Sequence, residues 1–380
     1  MTKSGKRELL LELRRLYLRA GKAAKGRILD QFVAATGYHR KYAIHLLVHG
    51  PPAHSDAPRR GKTPYGPAIV RTLIQVWKYC DCICSKRLKP FLPTMIQALE
   101  RSGELVLETH LKSLLLAMSA ATIERRLRLV RRRLKPHGLT TTRSGTLLKR
   151  QIPVRTFADW QDTRPGFTEV DLVAHCGDST RGEYLNTVAM VDVASGWFEC
   201  RAVTYRSRRD VFAALETMRA RLPLPLLGID SDNDGAFINA HLLHYCQQEH
   251  ITFTRCRPYK KNDQAHIEQK NGSVVRRLVG YDRYEGQPAT QVLNAGYDLL
   301  RLWINFFQPS MKLVEKRRVG SKVRKKYDQA QTPYQRLIAS RRLSPASKKK
   351  LDNLFRTLNP VALRRQLEER LNALSHLAVR

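Results

Sequence analysis

The stretch from Gly166 to Arg255 constrains the fold most, because its hydrophobic period switches between two and 3.6 several times. Phe167–Cys176, Tyr184–Asp192 and Trp197–Val203 are short strand-like runs, and Val193-Ala-Ser-Gly196 joins the last two as a hairpin would. Arg208–Leu222 then reads as a helix, Leu226–Asp230 as a short apolar strand, Ile238–His250 as a helix and Ile251–Arg255 as a strand. Helical patterns resume at Gln264. Three antiparallel strands followed by alternating helices and strands predict an α/β domain, a mixed sheet flanked by helices, over residues 161–310.

The flanking segments have a different character. Residues 1–50 predict helices on the stripe Leu9, Leu10, Leu13, Leu16 and Tyr17, then over Ile28–Ala35, then from Tyr38 onward. A helix, a short turn at Thr36-Gly37 and a helix that begins His39-Arg40-Lys41 predict an all-α helix-turn-helix DNA-binding domain. Residues 51–65 are rich in Pro, Gly, Lys and Arg and read as a linker. Residues 66–135 predict a second helical domain of helix-turn-helix type, in which Leu107–Met118 is apolar-periodic and Ser119 caps the basic helix Ala120–Arg133. Arg125 and Arg126 on that helix are expected to contact phosphates. A basic linker over 136–160 leads into the α/β domain. Residues 311–380 read as a basic, mostly helical region, with Ser344-Pro345 and Asn359-Pro360 starting two terminal helices.

Charge narrows the partner. The 380 residues hold 68 Lys+Arg against 33 Asp+Glu, a formal net charge of +35, while 42 % hydrophobic residues provide for folded cores. A folded protein this basic is most simply a nucleic-acid binder. No apolar stretch is long enough for a membrane span, and the N-terminal Met1-Thr-Lys-Ser-Gly-Lys-Arg has no apolar signal region. Seven cysteines without framework spacing suit a reducing compartment, so a cytoplasmic, nucleoid-associated protein is expected. Cys80-x-Cys82-x-Cys84 is too tightly spaced for a structural zinc site.

Three acids stand out by context. Asp171 lies inside the first strand, where a carboxylate among β-branched residues needs a reason. Asp232 follows the short apolar strand, the usual place for ligand contacts in an α/β sheet. Glu268 begins a helix entered through Arg257-Pro-Tyr-Lys-Lys-Asn262. Carboxylates without a His or Cys ligand set suit oxygen-preferring Mg²⁺ or Mn²⁺, and two such ions would clamp the attacking and leaving oxygens of a phosphodiester displacement.

At these residues the chain resembles the bacterial insertion-sequence transposases with a retroviral-integrase-type (DDE) core. Thirty-five residues separate Asp232 from Glu268, the spacing of the D,D-35-E pattern. Ser231-Asp232-Asn233, with Phe237 five residues after the Asp, matches the second motif, and Glu268-x-x-Asn271 the third. The resemblance implies an RNase H-like domain with Asp171, Asp232 and Glu268 as catalytic residues and ligands of two Mg²⁺ or Mn²⁺ ions. It implies cutting of donor DNA at element ends and joining of the 3′ ends to target DNA, without ATP, by a homo-oligomer on DNA.

Two departures accompany it. Asp234 stands where the family usually has glycine, which leaves Asp230 and Asp234 as rival ligands and a catalytically impaired DNA-binding regulator as an alternative. A second alternative is an RNase H-like nuclease that cuts without joining. The family's lysine two turns after the glutamate is Val275, so Lys270, Arg276 or Arg277 is expected to replace it on DNA. Arg40 and Lys41 are expected to read the element ends. Lys260 and Lys261 are expected on phosphate or a strand end, and the basic segment holding Arg324, Lys325 and Lys326 on the backbone of donor or target DNA. His175 is read as structural or a proton relay, and Asp192 as a turn residue or a fourth acid of the site.

Overall fold

A computed structural model describes residues 1–51, 65–134, 164–231, 236–237, 240–255 and 264–379. The expected linker 136–160 and nearly all of 51–65 lie outside these residues. The chain divides into two compact units at Pro64.

The first unit is three helices, α1 (Lys3–Arg19), α2 (Lys22–Thr36) and α3 (Arg40–His49). Leu10, Tyr17, Leu29, Phe32, Ala43, Leu46 and Leu47 form its core. Gly37 ends α2 in the left-handed region at φ 68°, which a residue with a Cβ resists, and His39 caps α3 by accepting from the Lys41 amide.

The second unit begins with α4 (Pro67–Tyr79), α5 (Ser85–Arg101), α6 (Thr109–Ala117) and α7 (Ala120–Leu134). A five-stranded sheet follows, from β1 (Phe167–Ala174), β2 (Asn186–Asp192), β3 (Phe198–Val203), β4 (Gly228–Ser231) and β5 (Thr252–Arg255), with α8 (Arg208–Arg221) and α9 (Ala240–Gln248) between its later strands. The order is β3-β2-β1-β4-β5. β1–β3 pair antiparallel, whereas β4 runs parallel to both β1 and β5. This is the mixed sheet of an RNase H-like domain.

Alternation along the strands sorts the side chains into two layers. Val170, Val188, Met190 and Ile229 pack against Val211, Leu215 and Met218 of α8 and Leu242 and Cys246 of α9. Val173, Ala189, Val191 and Phe198 point the other way. There they join one cluster with Trp77, Phe91 and Leu127 of α4, α5 and α7 and with Trp303 and Phe307 of α12 (Gly286–Phe307). The α4–α7 helices thus share the core of the sheet's second layer. Burying that much apolar surface outweighs the cost of Pro90 and Pro93 inside α5.

Between β5 and α12 lie α10 (Ala265–Lys270), a π-helical turn over Asn271–Arg276, and α11 (Arg277–Val279). After α12 the structure departs from the helical expectation. β6 (Leu313–Val319) and β7 (Lys322–Tyr327) form a separate antiparallel hairpin. Val319-Gly320-Ser321-Lys322 makes a two-residue turn with Gly320 at φ 59°, a hairpin signal hidden in a charged run. The chain ends in α13 (Pro333–Ala339), α14 (Pro345–Thr357) and α15 (Pro360–Ser375). Ser344 and Asn359 cap the last two with their side chains, as the sequence predicts. Among the described residues no helix is long and apolar enough to cross a membrane.

Candidate active site

The candidate site forms where β1, the carboxyl end of β4 and α10 meet. Glu169 and Asp171 are two residues apart on β1 and so lie on one face, and the parallel register sets Asp230 of β4 opposite Glu169. α10 and the π-helical turn that continues it pack on this face through two bonds. The Ile267 amide donates to Glu169 Oε2 at 2.8 Å, and Asn271 Nδ2 donates to Asp171 Oδ2 at 2.7 Å. Glu268 sits between these two anchors, exposed on the helix. Structure therefore brings the elements of Asp171 and Glu268 together, and Asn271 of the Glu-x-x-Asn motif is the tie. Asp232 follows Ser231 directly and lies outside the described residues, as do Asp234, Lys260 and Lys261.

The electrostatics divide the acids into two kinds. Asp171 is half-buried, and its two oxygens accept from Asn271 Nδ2 and, at 2.8 Å, from the Leu172 amide. Glu169 is wholly buried, and that burial pushes its carboxyl up to about 8, against the Ile267 amide and with help from the Asp230 charge. It is thus a protonated acid at neutral pH. Asp230 is also buried, accepting from Thr254 Oγ1 at 2.6 Å and from Gln264 Nε2 at 3.4 Å. Sequence reasoning missed Glu169, although its place two residues before Asp171 on the same strand was the available signal.

The donor chemistry fits a hard divalent cation. Asp171 and Glu268 would supply carboxylates, and Asn271 has a buried Oδ1 with no hydrogen-bond partner. Buried amide oxygens are normally satisfied, so an orphan beside a carboxylate marks a place for a ligand or its water. Among the described residues no three His, Cys, Asp or Glu side chains converge for a metal.

The remaining sequence candidates fall elsewhere. His175 Nε2 bonds Thr187 Oγ1 at 2.7 Å, Thr187 bonds Tyr297 at 2.7 Å, and burial drives the imidazole down to about 3. Asp192 accepts from the Gly166 and Ser195 amides at 2.7 Å each and so fixes the β2–β3 turn. Lys270 turns its ammonium over the ring of buried Phe198, 5.8 Å from the centroid, and burial lowers it to about 8. Arg276 stacks on exposed Tyr281, and Arg277 pairs with Asp81 at 2.9 Å. On α3, Arg40 pairs with Asp30 and Lys41 is exposed. Arg125 is exposed on α7 and Arg126 half-buried, while Arg131 there pairs with Glu124. Arg324, Lys325 and Lys326 are exposed on β7.

Comparison with known proteins adds four findings. Residues 162–261 match the family described as "Integrase core domain". The chain is 46 % identical over 324 residues to an uncharacterised protein, y4rM, of Sinorhizobium fredii, covering 84 % of this chain and 91 % of that one. Among solved structures it is similar to the catalytic core of BIV integrase (18 % identity, TM-score 0.32, 46 % of this chain and 95 % of that one). It is also similar to the HTLV-2 integrase core in complex with magnesium (17 % identity, TM-score 0.28, 37 % and 86 %).

Proposed function

The chain belongs to the y4rM family, insertion-sequence-type transposases or integrases with an RNase H-like core, and from that premise we propose that it is a DNA transposase of the DDE type. It binds the ends of its element, hydrolyses donor phosphodiesters and joins the freed 3′ ends to target DNA. The observation that carries this reading is the Asn271–Asp171 bond, which holds the Glu268 helix, just beyond the integrase-core match over 162–261, against the acid-bearing strand within it.

Asp171, Asp232 and Glu268 would hold two Mg²⁺ or Mn²⁺ ions. When bound, these supply Lewis acidity at the scissile phosphate and activate the attacking water or hydroxyl. Asp171 is oriented for the task by donors on both oxygens. Glu268, exposed on α10, would take the proton of the nucleophile. Glu169, two residues before Asp171 on the same face of β1, is held by the Ile267 amide, and its burial disfavours a further negative charge beside the cluster. One phosphodiester is exchanged for another in joining, so no ATP is needed. The protein works as a homo-oligomer on double-stranded DNA in the cytoplasm, associated with the nucleoid.

The test is Mg²⁺-dependent cleavage and strand transfer of an element-end oligonucleotide. Asp171→Asn, Asp232→Asn and Glu268→Gln should each abolish both steps while DNA binding persists. An active Asp232→Asn beside a dead Asp234→Asn would move the second ligand. Cleavage without strand transfer would leave a nuclease instead.

A further inference from the structure

The β6–β7 hairpin stands apart from the five-stranded sheet and is cationic on both faces. Residues directly opposite in the ladder share a face. One face carries Arg317 opposite Arg324 and Glu315 opposite Lys326, and the other carries Lys316 opposite Lys325 and Arg318 opposite Val323. Like charges placed opposite one another destabilise a hairpin, and a two-stranded hairpin is marginal alone. Among the described residues no carboxylate forms an ion pair with any of these six cations.

The root of the hairpin is firmly held. Asp328 accepts from the Lys312 amide at 2.6 Å and pairs with Arg336 at 2.5 Å, so its charge is spent there. Arg336 also donates to the Ser310 carbonyl at 2.8 Å, and the Lys312 ammonium donates to the Val193 and Ala194 carbonyls of the β2–β3 turn. The far end is the small Gly320-Ser321 turn, exposed. A hairpin held at its root, with a net cationic charge on each face, suits polyanion on both sides.

We propose that this ribbon enters the major groove of duplex DNA tip first, with one phosphate strand against each face. The proposal rests on the reading of the chain as a DNA enzyme. The major groove is about 12 Å wide and admits a two-stranded ribbon, whereas the minor groove, about 6 Å wide, does not. Lying flat on the groove floor would leave one cationic face in solvent. Because both faces meet backbone, the contact carries no base preference.

The test measures binding of the full chain in chelator, so that catalysis plays no part. One variant combines Arg317→Gln, Arg324→Gln and Lys326→Gln, and another combines Lys316→Gln, Arg318→Gln and Lys325→Gln. Each neutralised phosphate contact is worth about 0.9 in the slope of log K against log[salt], so each triple variant should flatten the slope by roughly 2.7 on random duplex. The sixfold variant should flatten it by roughly twice that. Glucosylated hydroxymethylcytosine, which fills the major groove, should weaken the wild type more than the sixfold variant. On double-stranded RNA, whose major groove is too narrow for side chains to enter, wild type and variants should share one slope. An effect confined to one triple, or none from either, overturns the insertion. So does an equal glucosylation penalty, or a ribbon effect on RNA equal to that on DNA. Thermal midpoints of the variants should equal or exceed that of the wild type, because like-charge pairs are removed. Failure here with cleavage intact removes only the ribbon, whereas dead chemistry with the ribbon effect intact removes only the transposase reading.

Discussion

Removing the Asn271 side chain tests whether the bond that ties the turn after α10 to β1 organises the chemistry. Asn271 is buried, and its amide holds Asp171 Oδ2 at 2.7 Å, so Asn271→Ala removes that hydrogen bond. A hydrogen bond to a charged group is worth about 1.5–3 kcal/mol, which corresponds to a factor of roughly 10 to 150. The Leu172 amide still holds Oδ1, so the loss should fall in the lower part of that range, about 10- to 30-fold in cleavage rate. The assay is cleavage of an element-end oligonucleotide across a Mg²⁺ titration. A misaligned carboxylate should show as a raised Mg²⁺ requirement, partly recovered at high Mg²⁺. Asn271→Asp should be worse than Asn271→Ala, because it sets a second carboxylate against Asp171. Wild-type rate and Mg²⁺ dependence in Asn271→Ala would refute the reasoning, as would an Asn271→Asp more active than the alanine variant.

Three further outcomes are expected. Replacing Arg40 and Lys41 should weaken binding to the element end more than to random DNA in a competition assay, because base contacts rather than phosphate contacts carry specificity; equal losses would make α3 a backbone contact. Arg301 holds the buried Glu199 carboxylate with two bonds of 2.7 and 2.8 Å, so Arg301→Ala should cost about 3–5 kcal/mol in denaturant unfolding, and adding Glu199→Gln should recover much of it. His175 is neutral in the native protein down to about pH 3, while an unfolded imidazole takes up a proton near 6.5. The unfolded state therefore binds more protons as pH falls from 6.5 toward 3, and native stability drops across that window. His175→Gln should remove up to about 1.4 kcal/mol per pH unit of this slope in unfolding measured between pH 6 and 4.

What could be read in the sequence followed from whether a segment has a dry side. Every strand of the central sheet buries at least one face, so its apolar alternation or short apolar run announced it. The two layers of the sheet then follow from the odd and even positions of β1 and β2. β6 and β7 have no dry side. Their alternation is charge against charge, which gives no hydrophobic period, and only the Gly320-Ser321 turn betrayed the hairpin. The same rule explains the site. Asp171 was conspicuous because an acid in a buried strand is costly, yet Glu169 is the acid more deeply buried, and its cost is met by protonation and by the Ile267 amide across a sequence separation of 98. No local pattern encodes that partner. It exists only because the sheet sets β1 under α10, and the motif Glu268-x-x-Asn271 is the one place where the sequence records the contact from the helix side. The Asn271 bond therefore connects what was legible, the spacing of the acids, to what was not, the packing that brings the acid-bearing strand and helix together.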